Sequence, residues 1–251
     1  MNEVDALASL IAGTPATGSG RHASMMRHVR SKLVSTATAL LDLRASASAH
    51  RSLIAPGLAR GLFELSYTAL LARLDPIRVL FVVGLQEQPT YTQEQSYQIS
   101  IHWSGDIVAE AVKNLWSDSQ RPGQMTRALL GDYLDHLVWR EAFDAVTPDF
   151  KTGTLCKDLA NLTSIGLVPA LRGRSSRLYS TFSKGIHYEH YLPSTAQFDA
   201  STLTQTVGEL VATLAQSGVV LSHCEWALLR PSPDDLREWF DTIKDLEVTY
   251  E

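Results

Sequence analysis

The sequence predicts a mainly α protein: a bundle of seven to nine helices, with one small β-hairpin possible at 78–103. Three observations carry this expectation. Apolar residues recur at three-and-four spacing in successive segments, the signature of amphipathic helices. Prolines stand where helices open, most plainly in Ser232-Pro233-Asp234-Asp235. Only Tyr97, Ile99, Ile101 and Trp103 alternate with polar neighbours at the period of a strand.

Taken in order, residues 2–12 read as a short helix, followed by the loop composition Gly13-Thr-Pro-Ala-Thr-Gly-Ser-Gly20. Residues 1–22 are therefore expected to be an arm and flexible loop, and 23–251 a single helical domain ending in an acidic helix. Val29, Leu33, Ala37, Leu40 and Leu41 share one helical face. A second long helix is expected from about Pro56, a residue suited to a first turn because its missing N–H would be unpaired there anyway. Leu58, Leu62, Leu65, Ala69 and Leu70 form its core face, and Arg60 and Glu64, four apart, can pair on the other.

Asp75-Pro76 is a good helix start, yet Val79, Val82 and Val83 favour a strand, so this stretch stays open between helix and hairpin. Ile107, Val108, Ala111, Leu115 and Trp116 mark another helix, and Met125, Leu129, Leu137, Val138, Ala142 and Val146 a long one after it. After the turn cluster 147–153, helix is expected again over 154–166, over the basic segment 174–188, and near 201–216. The last helix has Ser232 as its cap and Pro233 in its first turn. Asp234 and Asp235 sit at the favourable end of its dipole, and Leu236, Trp239 and Ile243 lie on one face.

With 251 residues, 45% of them hydrophobic, the chain can bury a sizeable core. Cys156 and Cys224 lie far apart with no CxxC partner, which argues against a disulfide framework and a zinc site. No metal-ligand spacing, phosphate loop or nucleophile elbow appears, so neither a metal nor another cofactor is expected. There is no signal-peptide pattern and no apolar run of membrane-spanning length, and a cytoplasmic location without membrane attachment is the expectation.

The net charge of −5 speaks against a general nucleic-acid coat, but the charges are unevenly placed. No acid lies between Asp5 and Asp42, where Arg21, Arg27, Arg30 and Lys32 fall, or between Asp158 and Glu189, where Arg172, Arg174, Arg177 and Lys184 fall. If these segments meet, they form a site for a polyanion such as RNA or a nucleotide; otherwise they are two solvated faces answered by the acidic C-terminal region.

The second segment has the stronger chemistry. As a helix, it sets Arg177, Ser180, Lys184 and His187 within one polar arc, with Leu178, Phe182 and Ile186 on another face. An imidazole moves protons near neutral pH, and a neighbouring cation stabilises the extra negative charge that develops in RNA cleavage by the ribose 2′-hydroxyl. Packing or capping at a helix end beside Gly185 is the other reading of His187.

The run R-x-Y-S-x-F-S-K-G-I-H-x-E from Arg177 to Glu189, with Ala59-Arg-Gly-Leu-Phe-Glu64 before it, resembles the HEPN-like helical proteins of bacteria, over about residues 24–217. The resemblance implies an RNase or related effector of defence and toxin–antitoxin systems, acting as a dimer that pairs two R-x(4–6)-H motifs. It implies His187 as the proton-transfer group, Lys184 and Arg177 on phosphate or transition state, and Ser183 and Glu189 orienting the imidazole. Arg172, Arg174, Arg27 and Arg30 would add phosphate contacts.

Arg177 and His187 have nine residues between them, outside the family spacing, and a continuous helix holds them about 15 Å apart along its axis. A break at Gly185, substitution of Lys184 for the arginine, or an arginine from a second chain would resolve this. Arg44-Ala-Ser-Ala-Ser-Ala-His50 obeys the spacing and ranks second, with the Arg60–Glu64 pair beside it as a further orienting element. His223-Cys224 fixes no nucleophile–base geometry, and His102 lacks an evident partner. The alternative to catalysis is an adaptor of the same fold, whose basic face docks nucleic acid or a protein partner in a defence complex.

Overall fold

The computed structural model describes residues 1–87, 129–131, 134–186 and 198–250. Nine α-helices lie among them, with no strand: α1 (Glu3–Ala12), α2 (Arg21–Asp42), α3 (Ser48–Leu74), α4 (Pro76–Gln86), α5 (Arg140–Asp144), α6 (Gly153–Cys156), α7 (Ser164–Ile186), α8 (Ala200–Ser222) and α9 (Pro233–Ile243). The expected helical bundle is what the chain forms.

The bundle is organised on α3, which packs against α1, α2, α4, α7 and α8. Ala69, Leu70, Leu71, Ala72 and Arg73 are buried in succession, so α3 is enclosed all round near its C-terminal end. A helix with contacts all round cannot show the one-sided stripe of a surface helix. The end of α8 is the same, buried without interruption from Thr213 to Ser222.

The first helix is no outlying arm. Ala6 and Leu10 are wholly buried, and α1 packs on α2, α3, α8 and α9. Asn2 caps it by accepting from the Asp5 N–H at 2.8 Å. Gly13 ends it with φ 79°, and a Cβ there would lie 2.2 Å from the Leu229 carbonyl oxygen, so both backbone conformation and space demand glycine.

Pro56 lies inside α3, about two turns beyond the first helical residue Ser48, instead of opening the helix. Pro76 does open one. Residues 78–86 belong to α4, with Val79 and Val82 buried on one side, so the first arm of the hairpin is helix here; the remainder of that expectation lies outside the described residues. The valines satisfy a core face as well as a strand would, and tertiary burial overrides their propensity.

The long helix expected over 125–146 is interrupted by a π-helical turn at Asp135–Trp139. The turn changes the period, leaving Leu137 50% exposed while Trp139 is fully buried with its Nε1–H on the Leu129 carbonyl at 2.7 Å. Residues 154–166 are likewise discontinuous: α6 gives way to a 3₁₀ turn at Lys157–Asn161, and α7 starts at Ser164. No described helix is long and apolar enough to cross a membrane.

Candidate functional site

The basic segment is helix α7, continuous from Ser164 to Ile186. Gly185 does not break it. A Cβ at Gly185 would meet Pro56 Cβ at 2.4 Å and Phe198 Cε2 at 2.8 Å, so this glycine serves the close approach of α7 to α3. Arg177 and Lys184 therefore stand seven residues apart on one helix, about 10 Å along its axis.

The helix distributes its cations to different surroundings. Arg172 turns toward the 129–131 segment, where its Nη2 and Nε donate to the Leu130 carbonyl at 2.6 and 3.2 Å. Arg177 is ion-paired with Glu209 of α8. Arg174 is half-buried and Lys184 exposed, and neither forms a hydrogen bond or ion pair with a described residue. Ser183 donates to the carbonyl of Tyr179 at 2.7 Å within its own helix. His187 and Glu189 lie outside the described residues.

Arg174 and Arg177 line an open groove of about 450 Å³ with Asp158, Asn161, Pro169 and Gly173. The groove owes its shape to the break between α6 and α7: the 3₁₀ turn brings Asp158 and Asn161 beside the first turns of α7. Gly173, which also lines the groove, is exposed, and a Cβ there would meet nothing within 4 Å.

Behind the groove is a buried polar layer. The Tyr67 phenol and the Ser175 hydroxyl share a short hydrogen bond, and burial pushes the phenol up to about 12 against the opposing effects of Ser175 and Arg174. Burial also pushes the Cys156 thiol up to about 12, with Arg174 opposing, so the thiol stays protonated and inert at neutral pH. Arg60 and Glu64 pair on α3, both half-buried. Arg60 Nε meets Glu64 Oε1 at 3.0 Å, Nη2 meets the Tyr179 hydroxyl at 2.7 Å, and the guanidinium carbon lies 4.7 Å from that ring's centre. The pair thus orients Tyr179 on α7.

The other basic segment is occupied by its own neighbours. Arg27 Nη1 donates to the carbonyls of Ala16 and Gly18 at 3.2 and 2.8 Å, and Arg30 Nη2 to the Ser9 hydroxyl at 2.8 Å. These contacts tie the glycine-rich loop and α1 to α2. Arg44 Nε bonds to the Leu41 carbonyl at 3.0 Å, whereas His50 is exposed in the first turn of α3 and makes no hydrogen bond with a described residue. His223 packs edge-on against Phe150 with Nδ1 2.9 Å from the Val219 carbonyl; burial lowers its pKa and keeps the ring neutral. Cys224 is buried.

Sequence spacing did not point to Asp158 or Asn161, which reach the groove only through the 3₁₀ turn. Nor did it point to Asp135 and Arg140. They are five residues apart, a poor match to α-helical neighbours, and the π turn brings Arg140 Nη2 to Asp135 Oδ2 at 2.7 Å. Among the described residues no group of His, Cys, Asp and Glu has the arrangement of a metal site. No family model, no curated protein and no solved structure matches the chain.

Proposed function

We propose that this chain is an RNA- or nucleotide-directed effector of the HEPN-like kind, serving a bacterial defence or toxin-like system, and that the groove along α7 receives the anionic backbone of its ligand. The observation that carries this reading is the row of cations on α7, Arg174 half-buried and Arg177 and Lys184 exposed, which extends about 15 Å along the helix. Two of these cations form no hydrogen bond or ion pair with a described residue, and the third is ion-paired with Glu209 of α8. A phosphate entering the groove meets the Arg174 guanidinium without displacing a hydrogen bond or ion pair to a described residue, and Lys184 lies further along α7 outside the groove lining.

In the catalytic form of this proposal His187 transfers the proton, with Lys184 nearest to it in sequence as the stabilising cation. A second reading, a non-catalytic adaptor, rests on the engagement of Arg172 and Ser183 with backbone carbonyls and of Arg177 with Glu209, which puts three side chains expected to bind or orient into structural contacts.

Titration of a fluorescent single-stranded RNA at several salt concentrations tests the shared claim. Three phosphate contacts predict a slope of about −2 in log affinity against log salt. The variant Arg174→Glu, Arg177→Glu, Lys184→Glu should bind at least tenfold more weakly with a shallower slope; unchanged affinity would remove the groove from the function. RNA fragments ending in cyclic phosphate, abolished by His187→Ala, identify the catalytic form, and intact RNA with retained binding identifies the adaptor.

A further inference from the structure

The groove along α7 is lined by two kinds of polar group. Arg174 and Arg177 come from α7, and Asp158 and Asn161 from the 3₁₀ turn Lys157–Asn161. The side chains of Asp158 and Asn161 are exposed and, like that of Arg174, form no hydrogen bond or ion pair with a described residue. Burial raises the Cys156 pKa most; behind it Arg174 lowers and Asp158 raises that value, so both charges border one region of the bundle. A carboxylate in this place repels a phosphate, and Asp158 would only weaken a groove that took the sugar-phosphate backbone alone. The lining calls for a ligand that carries hydrogen-bond donors as well as an anionic group.

The 3₁₀ turn fixes what those donors meet. Side chains three residues apart eclipse in a 3₁₀ helix, so Asp158 and Asn161 stand side by side on one face of the turn. An ionised carboxylate accepts through two oxygens, while a carboxamide also donates through its NH₂. Together they present two acceptors beside a donor. Among the RNA bases guanine alone has the complementary edge, with N1–H and the N2 amino group adjacent and O6 beside them; adenine, cytosine and uracil each bring one donor group to that edge. Pro169 and Ala170 give a base an apolar wall, and Arg174 and Arg177 follow about 7.5 and 12 Å further along the axis than Pro169. The volume of about 450 Å³ lies within the roughly 300–1,000 Å³ of small-molecule sites.

Resting on the reading of this groove as an RNA or nucleotide site, we propose that it selects guanine. The Asp158 carboxylate accepts from N1–H and the N2 amino group, the Asn161 amide donates to O6, and Arg174, with Arg177 beyond it, takes the adjoining phosphate.

The test uses the full chain and fluorescein-labelled hexauridylates in which one central position carries guanosine, adenosine, cytidine, inosine or uridine, followed by anisotropy. The guanosine strand should bind at least tenfold more tightly than the adenosine, cytidine and all-uridine strands, with inosine, which lacks the N2 amino group, in between. Asp158 is exposed and unbonded, so Asp158→Asn leaves the fold intact and separates two outcomes of opposite sign. A bystander carboxylate predicts tighter binding of every strand once its charge is gone; a base contact predicts at least a tenfold loss for the guanosine strand and none for the others. Arg174→Glu should weaken all strands together. Equal affinity of the parent for every strand, a guanosine preference that survives Asp158→Asn, or a uniform gain in that variant would overturn the guanine assignment and leave the groove a phosphate site. Binding of no strand would overturn the underlying RNA reading with it. Competition by unlabelled GMP identifies a free nucleotide as the ligand, and competition by the guanosine strand alone identifies RNA.

Discussion

Arg73, at the end of α3, donates through Nη1 to the Leu10 carbonyl at 3.0 Å, closing the C-terminus of α1 with a fully buried guanidinium. The same Nη1 reaches the Ile11 carbonyl at 3.3 Å, and Nε reaches Leu228 at 3.2 Å. Among the described residues no carboxylate answers the charge, and Nη2 is buried without a hydrogen-bond partner. Burial lowers the pKa to about 10, leaving the group charged at neutral pH.

Replacing Arg73 by Ala should therefore destabilise by about 3–5 kcal/mol, since it leaves three carbonyls buried and opens a cavity. Arg73→Lys should recover only part of this, because a single ammonium cannot span the carbonyls that the planar fork reaches. Urea denaturation followed by circular dichroism gives both values. Equal stability of the Ala variant and the parent would remove Arg73 as the link between α1 and α3.

At Gly185 the expected outcome concerns space alone. Gly185→Ala puts a methyl group into Pro56 and Phe198, at a cost of about 1–3 kcal/mol. Pro56→Gly removes the nearest atoms, so the double variant should lose less than the two single losses combined. A double-mutant cycle by urea denaturation measures this coupling, and strict additivity would deny the contact.

The alkaline limb of the stability curve should report on two phenols. Tyr67 and Tyr250 are both raised from about 10 to about 12, chiefly by burial. Below pH 10 both are neutral whether the chain is folded or not. As pH rises from 10 to 12, the unfolded chain releases these protons and the folded chain retains them, so stability falls, by up to about 1.4 kcal/mol per pH unit for each phenol. Tyr67→Phe should remove one contribution and flatten the decline, although it also loses the Ser175 bond and lowers stability at neutral pH. Melting temperatures measured between pH 8 and 11.5 provide the comparison.

What could be read from the sequence was governed by local rules. Ser232 caps α9 by accepting from the Asp235 N–H at 3.1 Å, with Pro233 in the first turn and Leu236, Trp239 and Ile243 buried, because capping and one-sided burial are encoded within a dozen residues. The Arg60–Glu64 pair followed from its spacing, but its contact with Tyr179, 119 residues away, did not. Helical geometry also separates Arg172 from the Arg174–Arg177–Lys184 stripe, and the structure directs it to Leu130. Charge density along the sequence hid that division. The π turn at Asp135–Trp139 and the 3₁₀ turn behind Asp158 were unreadable for a different reason: both change the residue period that pattern analysis assumes.

The placement of α1 has a consequence for the order of events during synthesis. Its seat is built by α3, α8 and α9, and the Leu228 loop that joins it at Arg73 lies 155 positions beyond that arginine. Helix α1 thus cannot complete its contacts until α8 and α9, which follow it in the sequence, have been synthesised. At elongation rates of about 5–20 residues per second, the stretch between α1 and α9 takes on the order of ten seconds or more, an interval in which Leu7, Leu10 and Ile11 lack the partners that bury them in the folded bundle.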